Sequence, residues 1–308
     1  MRRLLLASLA SLALLAGVAS ASSGTQPTGQ IVFGLNHFCL TPAPNGGGKV
    51  PIDCGKGEIA AVNANGSGLR VLTHDKVTET SPVWSPNHEQ IAFIKPKAHL
   101  PSTSDQIWVM NADGSNQQKL TDFTSVPQLW GNDLTSDLSW SPDGQEIVFA
   151  AFPNDQGGDE QLFVVNLRTH GVRRLTHLPF GLTEPEWSPD GRWIAVVAQD
   201  AGDQIYLLST KTHRAHRVGK ATGLCIAWSP NSNRLVYNAG GRLQVVNAAG
   251  THYHSLRIDG DQTSWSPDGQ WIVFASGDYL REIRPNGKDV RHILYLNSHK
   301  GSNFEPNW

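Results

Sequence analysis

From Gln30 onward the apolar positions of this chain fall into short runs, each closed off by residues that favour turns. Gln145 to Ala151, Arg192 to Ala198 and Gln270 to Ser276 read as one kind of strand, and Ile107 to Asn111, Leu162 to Asn166 and Ile205 to Ser209 as the strand that follows it. Short runs of this kind, rich in β-branched and aromatic residues and bounded by Gly, Pro, Asn and Asp, mark strands rather than helices. A polar turn and a last strand, such as Val172 to His177, complete each unit, and the strand ahead of each unit ends on tryptophan. The pattern predicts an all-β chain with four strands per unit.

The tryptophans set the period. Trp84-Ser85-Pro86-Asn87, Trp140-Ser141-Pro142-Asp143-Gly144, Trp187-Ser188-Pro189-Asp190-Gly191, Trp228-Ser229-Pro230-Asn231 and Trp265-Ser266-Pro267-Asp268-Gly269 recur at spacings of 56, 47, 41 and 37 residues. A strand-built repeat of this period signals a β-propeller. In each turn Pro presets φ, Asp tolerates the next position and Gly accepts the positive φ that closes the hairpin, so Asp143, Asp190 and Asp268 read as turn formers and not as ligands. The Trp supplies a large apolar face against the neighbouring sheet. One sheet cannot bury both of its faces, so the repetition is itself the core.

The C-terminus fixes the number of blades. Phe304-Glu305-Pro306-Asn307-Trp308 matches Glu184-Pro185-Glu186-Trp187 and stops where Ser-Pro would follow. At the other end, Gln30 to Leu35, Glu58 to Asn63 and Leu69 to His74 read as the second, third and fourth strands of a blade lacking its first. The expected fold is a six-bladed β-propeller of four-stranded antiparallel blades, its ring closed by the C-terminal strand so that no edge stays open. Blade 1 is placed at 30–75 plus 303–308, blade 2 at 81–122, blade 3 at 137–177, blade 4 at 184–220, blade 5 at 225–258 and blade 6 at 262–295.

Ahead of the repeats, Met1-Arg2-Arg3, the apolar run Leu4 to Val18 and the small triplet Ala19-Ser20-Ala21 have the three parts of a secretory signal peptide. Cleavage is expected after Ala21, leaving residues 22–28 as a short linker before the propeller of 29–308. The apolar run is shorter than the roughly 20 residues a membrane span requires, so no membrane insertion is expected after cleavage, and the location is secreted or periplasmic. The formal charge of -2 leaves no basic stripe, which argues against nucleic acid as a partner. Cys39 and Cys54 share a loop rich in Gly and Pro in an exported chain and are expected to form a disulfide. Cys225, in the apolar strand Leu224 to Trp228, reads as a buried structural thiol. A monomer is expected.

The sequence Pro-x-Trp-Ser-Pro-Asp-Gly, an apolar strand, then Ile107-Trp108-Val109-Met110-Asn111-Ala112-Asp113-Gly114 and Lys119-Leu120-Thr121 closely resembles the WD40-like (PD40) propeller repeat of the TolB family, over essentially all of residues 29–308. Members of that family are similar in having six blades, but carry an α/β domain ahead of them and dock a lipoprotein at the propeller; with the repeats beginning soon after the expected cleavage point, that domain is not expected here. The repeat also resembles the propeller of dipeptidyl-peptidase and acylaminoacyl-peptidase enzymes. No Gly-x-Ser-x-Gly elbow occurs here, which sets a serine hydrolase aside. A third resemblance, to the oligogalacturonate lyase propeller, implies seven blades and a metal held by His.

In a propeller the loops between second and third strands share one face with the links between blades. On that face lie all the insertions: Asn36 to Gly57, Pro96 to Asp105, Phe123 to Ser136 and Phe152 to Glu160. Binding residues concentrate on variable loops held by a rigid scaffold. Three residues before each blade Trp, the inner strand should reach the channel mouth on the same face, at Ser81, Asp137, Glu184, Cys225, Gln262 and Glu305. An acidic rim favours a cation, a basic peptide segment or sugar hydroxyls; these side chains are equally suited to capping neighbouring backbone groups. Trp130, Phe152 and Phe180 are candidate stacking surfaces around it. Of the twelve His, His74, His177, His252 and His254 fall on outer strands and His213 and His216 at a turn, away from the channel, so no metal and no cofactor is expected.

These observations predict a non-catalytic binding module that takes a protein, peptide or glycan ligand through Ser81, Asp137, Glu184, Gln262 and Glu305 at the mouth, with Trp130, Phe152 and Phe180 on the loop face. The alternative is a propeller enzyme of lyase or glycoside hydrolase type, with Asp137 and Glu184 as acid and base.

Overall fold

Every Trp-Ser-Pro turn is locked by its serine. Ser141 Oγ donates to Asp143 and accepts the Glu146 N–H, and Ser188 and Ser266 do the same with Asp190 and Trp193, and with Asp268 and Trp271. Where the third residue is Asn, in Ser85 with Asn87 and Ser229 with Asn231, the pattern is unchanged. The turn acids are thus consumed by the turn.

The structure, a computed structural model, describes residues 29–42, 49–74, 77–96, 105–123, 129–134, 137–154, 159–199, 202–295 and 305–308, with the backbone alone for 36–42, 49–56 and 130–134. The leader 1–21, the linker 22–28 and the side chains of Cys39, Cys54 and Trp130 lie outside the described residues. Among the described residues the chain is all-β and contains no α-helix.

Six antiparallel blades follow one another. Blade 4 shows the plan: Leu182–Trp187, Trp193–Ala198, Gln204–Ser209 and Ala215–Thr222 run from the axis outward. Blades 5 and 6 start from the inner strands Leu224–Trp228 and Asp261–Trp265, blade 2 from Thr80–Trp84 and blade 3 from Ser139–Trp140. Blade 1 has Gln30–Pro42, Lys49–Asn63 and Arg70–Val71, and its inner strand comes from the C-terminus. Val32 and Asn307 exchange N–H···O bonds of 2.9 and 2.8 Å, which closes the ring.

Parts of two insertions expected as loops are strands instead. Residues 36–42 and 49–57 extend the blade 1 hairpin, paired from Gln30 with Asn63 to Pro42 with Lys49 across a register shift at His37/Phe38. Leu129–Leu134 adds a fifth strand to blade 3 by pairing with Glu146–Pro153. Both gain ladder hydrogen bonds from an edge already present, which composition alone does not reveal.

The recurring Leu-Thr that ends the outer strands also has a structural reason. Thr73, Thr121 and Thr176 accept the N–H groups of Ile59, Ile107 and Leu162 at 2.9, 2.9 and 3.0 Å, clamping the third strand to the fourth. The core is divided among the seams. Six buried clusters each span two neighbouring blades; Ile31, Phe33, Trp271 and Trp308 meet between blades 6 and 1, and Val148, Val164, Ile194 and Val196 between blades 3 and 4. Burial is therefore the force that holds the ring together.

Candidate functional site

Three residues before the tryptophan, most of the inner strands slip. The ladders of blades 2, 4, 5 and 6 shift register there, and Ser81, Glu184, Cys225, Gln262 and Glu305 take φ values of 51, 50, 56, 49 and 38°. Side chains other than Gly rarely adopt this left-handed backbone, which costs of order 1–2 kcal/mol. The same geometry recurring in five blades makes it a feature of the fold.

The bulge turns the backbone N–H of that residue toward the preceding blade, whose side chain at the same position receives it. Glu305 accepts from the Ser81 N–H, Glu184 from the Cys225 N–H, and Gln262 from the Glu305 N–H at 3.0 Å. The Cys225 thiol receives the Gln262 N–H. A second tier lies two residues on, where Asn307, Ser139 and Ser264 accept the Trp84, Trp187 and Trp308 N–H groups at 2.9, 2.9 and 3.1 Å. A third consists of the indoles of Trp140 and Trp228, which donate to the Val83 and Glu186 carbonyls. The axis is thus wrapped by side-chain bonds from blade to blade.

All six positions named from the sequence, Ser81, Asp137, Glu184, Cys225, Gln262 and Glu305, line one axial cavity of about 380 Å³. Asp105 and Glu186 join them, so the cavity has five acidic residues and no basic one. Burial, and then the charge of Asp137, raises Glu184 and Glu305 to about 7. The same two causes raise Glu186 to about 8 against an opposing hydrogen bond from Ser139, and burial raises Asp137 itself. Burial followed by the nearby Glu184 carboxylate pushes the Cys225 thiol up to about 12, which leaves it a neutral thiol and a poor nucleophile.

Glu186 is not among the positions named from the sequence, although a signal for it exists. Residues one and three before the Trp share a face of an extended strand, and the nearer position is polar in Ser139, Glu186, Ser264 and Asn307. Of the aromatic candidates, Phe180 turns inward, half-buried against Tyr206 at 6.1 Å between ring centroids. Phe152 is half-buried near the end of Glu146–Pro153. The histidines are dispersed: His88 stacks on Trp84, His216 meets the edge of Trp193, and His254 bonds the Pro285 carbonyl. Among the described residues, no three of His, Cys, Asp and Glu stand close enough to share a metal ion.

A closed ring of six blades, five of them turning on Trp-Ser-Pro, with an acidic mouth defines the class: a β-propeller with a shared axial cavity. The PD40 family profile, described as the TolB beta propeller domain, matches residues 131–308, and the chain belongs to this family. Among curated proteins it is 27% identical over 218 residues to the uncharacterized peptidase YuxL of Bacillus subtilis (strain 168), covering 67% of this chain and 31% of that protein. It is 26% identical over 220 residues to the protein TolB homolog of Chlorobium chlorochromatii (strain CaD3), covering 67% and 46%. The chain thus spans under half the length of either relative. The crystal structure of TolB from Acinetobacter baumannii superposes with a TM-score of 0.71 at 20% identity, over 92% of this chain and 67% of that one, a likeness of fold.

Proposed function

We propose that this propeller is a non-catalytic binding module of an exported compartment, taking a protein, peptide or glycan at its loop-rich face and axial mouth. One observation carries the reading. The mouth is a cavity of about 380 Å³ to which every blade contributes its residue at the same position, and Glu184, Gln262 and Glu305 are held there by bonds to the adjacent blade. Fixed polar groups around a preformed concave site favour recognition because little ordering is left to do on binding. Export rests on the leader-like residues 1–21. The test is a peptide and glycan array probed with the wild type and with Asp137→Asn/Glu186→Gln. Ligands held by the wild type and lost by the variant support the reading; the same ligands on both, or none on either, refute it.

A second reading has one observation in its favour. Asp137 and Glu184 are both raised, Glu184 to about 7, and a carboxyl that stays protonated near neutral pH is what a general acid needs. A lyase or glycoside hydrolase using this pair should release unsaturated or reducing sugars from uronate polysaccharides. Equal product from the wild type and Asp137→Asn removes this reading.

A further inference from the structure

The geometry points to a primary ammonium group on an aliphatic stem, the chemistry of a lysine side chain or of a peptide's amino terminus, as what the mouth recognises; this rests on the binding-module reading and narrows it. The first ground is charge. Asp105, Asp137, Glu184, Glu186 and Glu305 face the cavity with no basic residue among its walls. Lys95, next in sequence to the cavity-lining Ile94, is engaged by Glu79 at 3.1 Å. The second is an unmet acceptor. Asp137 lines the cavity half-buried, and among the described residues its carboxyl receives a hydrogen bond only from its own backbone N–H.

The shape of the acceptors selects among cations. Glu184 and Glu305 are already engaged by the N–H groups of Cys225 and Ser81, so neither offers both oxygens to the planar fork of a guanidinium. An ammonium directs three donors apart and can reach carboxyls on separate blades. A single metal ion would need ligands converging on one point, and no three of the described His, Cys, Asp and Glu residues do so. Between the carboxyls stand Pro82, Ile94, Leu138, Pro185, Ile226 and Pro306, apolar walls suited to a methylene stem.

Binding would draw protons out of the mouth. Glu184 and Glu305 lie near 7 and Glu186 near 8 without a ligand, each raised further by Asp137, while Asp203 adds to Glu184 and Ser81 opposes the rise of Glu305. Cys225 stays neutral. An ammonium needs these carboxyls ionised, so its affinity should increase from pH 6 to pH 8.

The experiment is titration calorimetry of the full chain with four probes: acetyl-AAKAA-amide, its side-chain-acetylated form, unblocked pentaalanine amide, and manganese chloride alone. The variant Glu184→Gln/Glu305→Gln keeps an acceptor for the Cys225 and Ser81 N–H groups, as Gln262 does for Glu305. We expect the lysine peptide or the free amino terminus to bind, the stronger identifying the source of the ammonium. Acetylation and the double variant should each weaken binding by about tenfold or more, and affinity should rise with pH. Equal binding of acetylated and unacetylated peptide, or competition by manganese alone at the same site, overturns the ammonium inference and leaves the binding-module reading standing. If ammonium probes fail while neutral ligands on the array bind, only the inference falls; if nothing binds, both fall.

Discussion

Replacing Glu184 and Glu305 with glutamine should stabilise the unliganded protein at pH 8 and leave it unchanged near pH 4. In the folded state both carboxyls are raised from an ordinary 4.5 to about 7, mainly by burial. Below about 4.5 they are protonated in the folded and unfolded chain alike, and their full contribution to stability is present. As pH rises toward 7 the unfolded chain gives up these protons while the folded one holds them, so stability falls, and the loss is complete once pH has passed through the folded values. A rise from 4.5 to about 7 corresponds to about 3 kcal/mol per group. The pair should show less than twice that, because both respond to Asp137. Glutamine removes the titration but keeps an oxygen for the Ser81 and Cys225 N–H groups, at a loss of about 1 kcal/mol for each bond whose acceptor is no longer charged. The net gain at pH 8 is then about 3 kcal/mol, or roughly 5–10 °C in melting temperature for a domain of this size. Differential scanning calorimetry between pH 4 and 8.5 reads it directly. A double variant that melts below the wild type at pH 8, or that differs from it by the same amount at every pH, would refute the reasoning. Glu186, raised to about 8, leaves a further pH dependence common to both proteins.

Three further substitutions probe the scaffold. Gly223, in the link from blade 4 to blade 5, has a φ of 153°, and a Cβ there would stand 2.0 Å from the Asn238 carbonyl oxygen, so Gly223→Ala should destabilise by more than about 3 kcal/mol and lower soluble yield. Thr176→Val keeps the shape of a buried clamp but removes the acceptor of the Leu162 N–H and the donor to Gln161; a loss of about 1–3 kcal/mol is expected by urea denaturation, with Thr176→Ser recovering part of it. Trp271 is fully buried at the seam between blades 6 and 1, with Arg284 and Arg291 at 4.1 and 4.3 Å from its ring. Trp271→Ala should cost about 3–5 kcal/mol. Removing residues 305–308 deletes the Asn307–Val32 bridge and the buried Trp308 and should abolish soluble expression; a truncated chain with an unchanged melting temperature contradicts the closure.

Much of the fold was legible because the chain repeats its turn chemistry. Ser-Pro-Asp-Gly specifies a hairpin, Leu-Thr a clamp, and Trp308, which no Ser-Pro follows, the closure of the ring. The hairpin extension of blade 1 and the fifth strand of blade 3 were not legible, since residues 36–57 and 129–134 have the Gly, Pro, Asn and Asp content of loops. At the mouth, strand periodicity pointed to six positions that line one cavity but could not show the left-handed bulge. Ser, Glu, Cys and Gln carry no bias toward positive φ, and only the ring as a whole stabilises that backbone.

The bulge decides what the mouth residues are for. Capping the next blade's N–H is a sufficient reason for a long side chain with an acceptor oxygen at these positions, and Glu184, Gln262 and Glu305 all perform it. Gln262 performs it without a charge. The cap therefore explains the length and the oxygen of Glu184 and Glu305 but not their ionisable group, which burial makes unfavourable by about 3 kcal/mol at each site above pH 7. Asp137 sharpens the point, since its carboxyl caps no neighbour among the described residues and raises all three glutamates around it. A fold that needed only caps could use glutamine six times. The proposed binding of an ammonium group accounts for four carboxyls held at one mouth against their own desolvation, because a positively charged partner would offset that penalty.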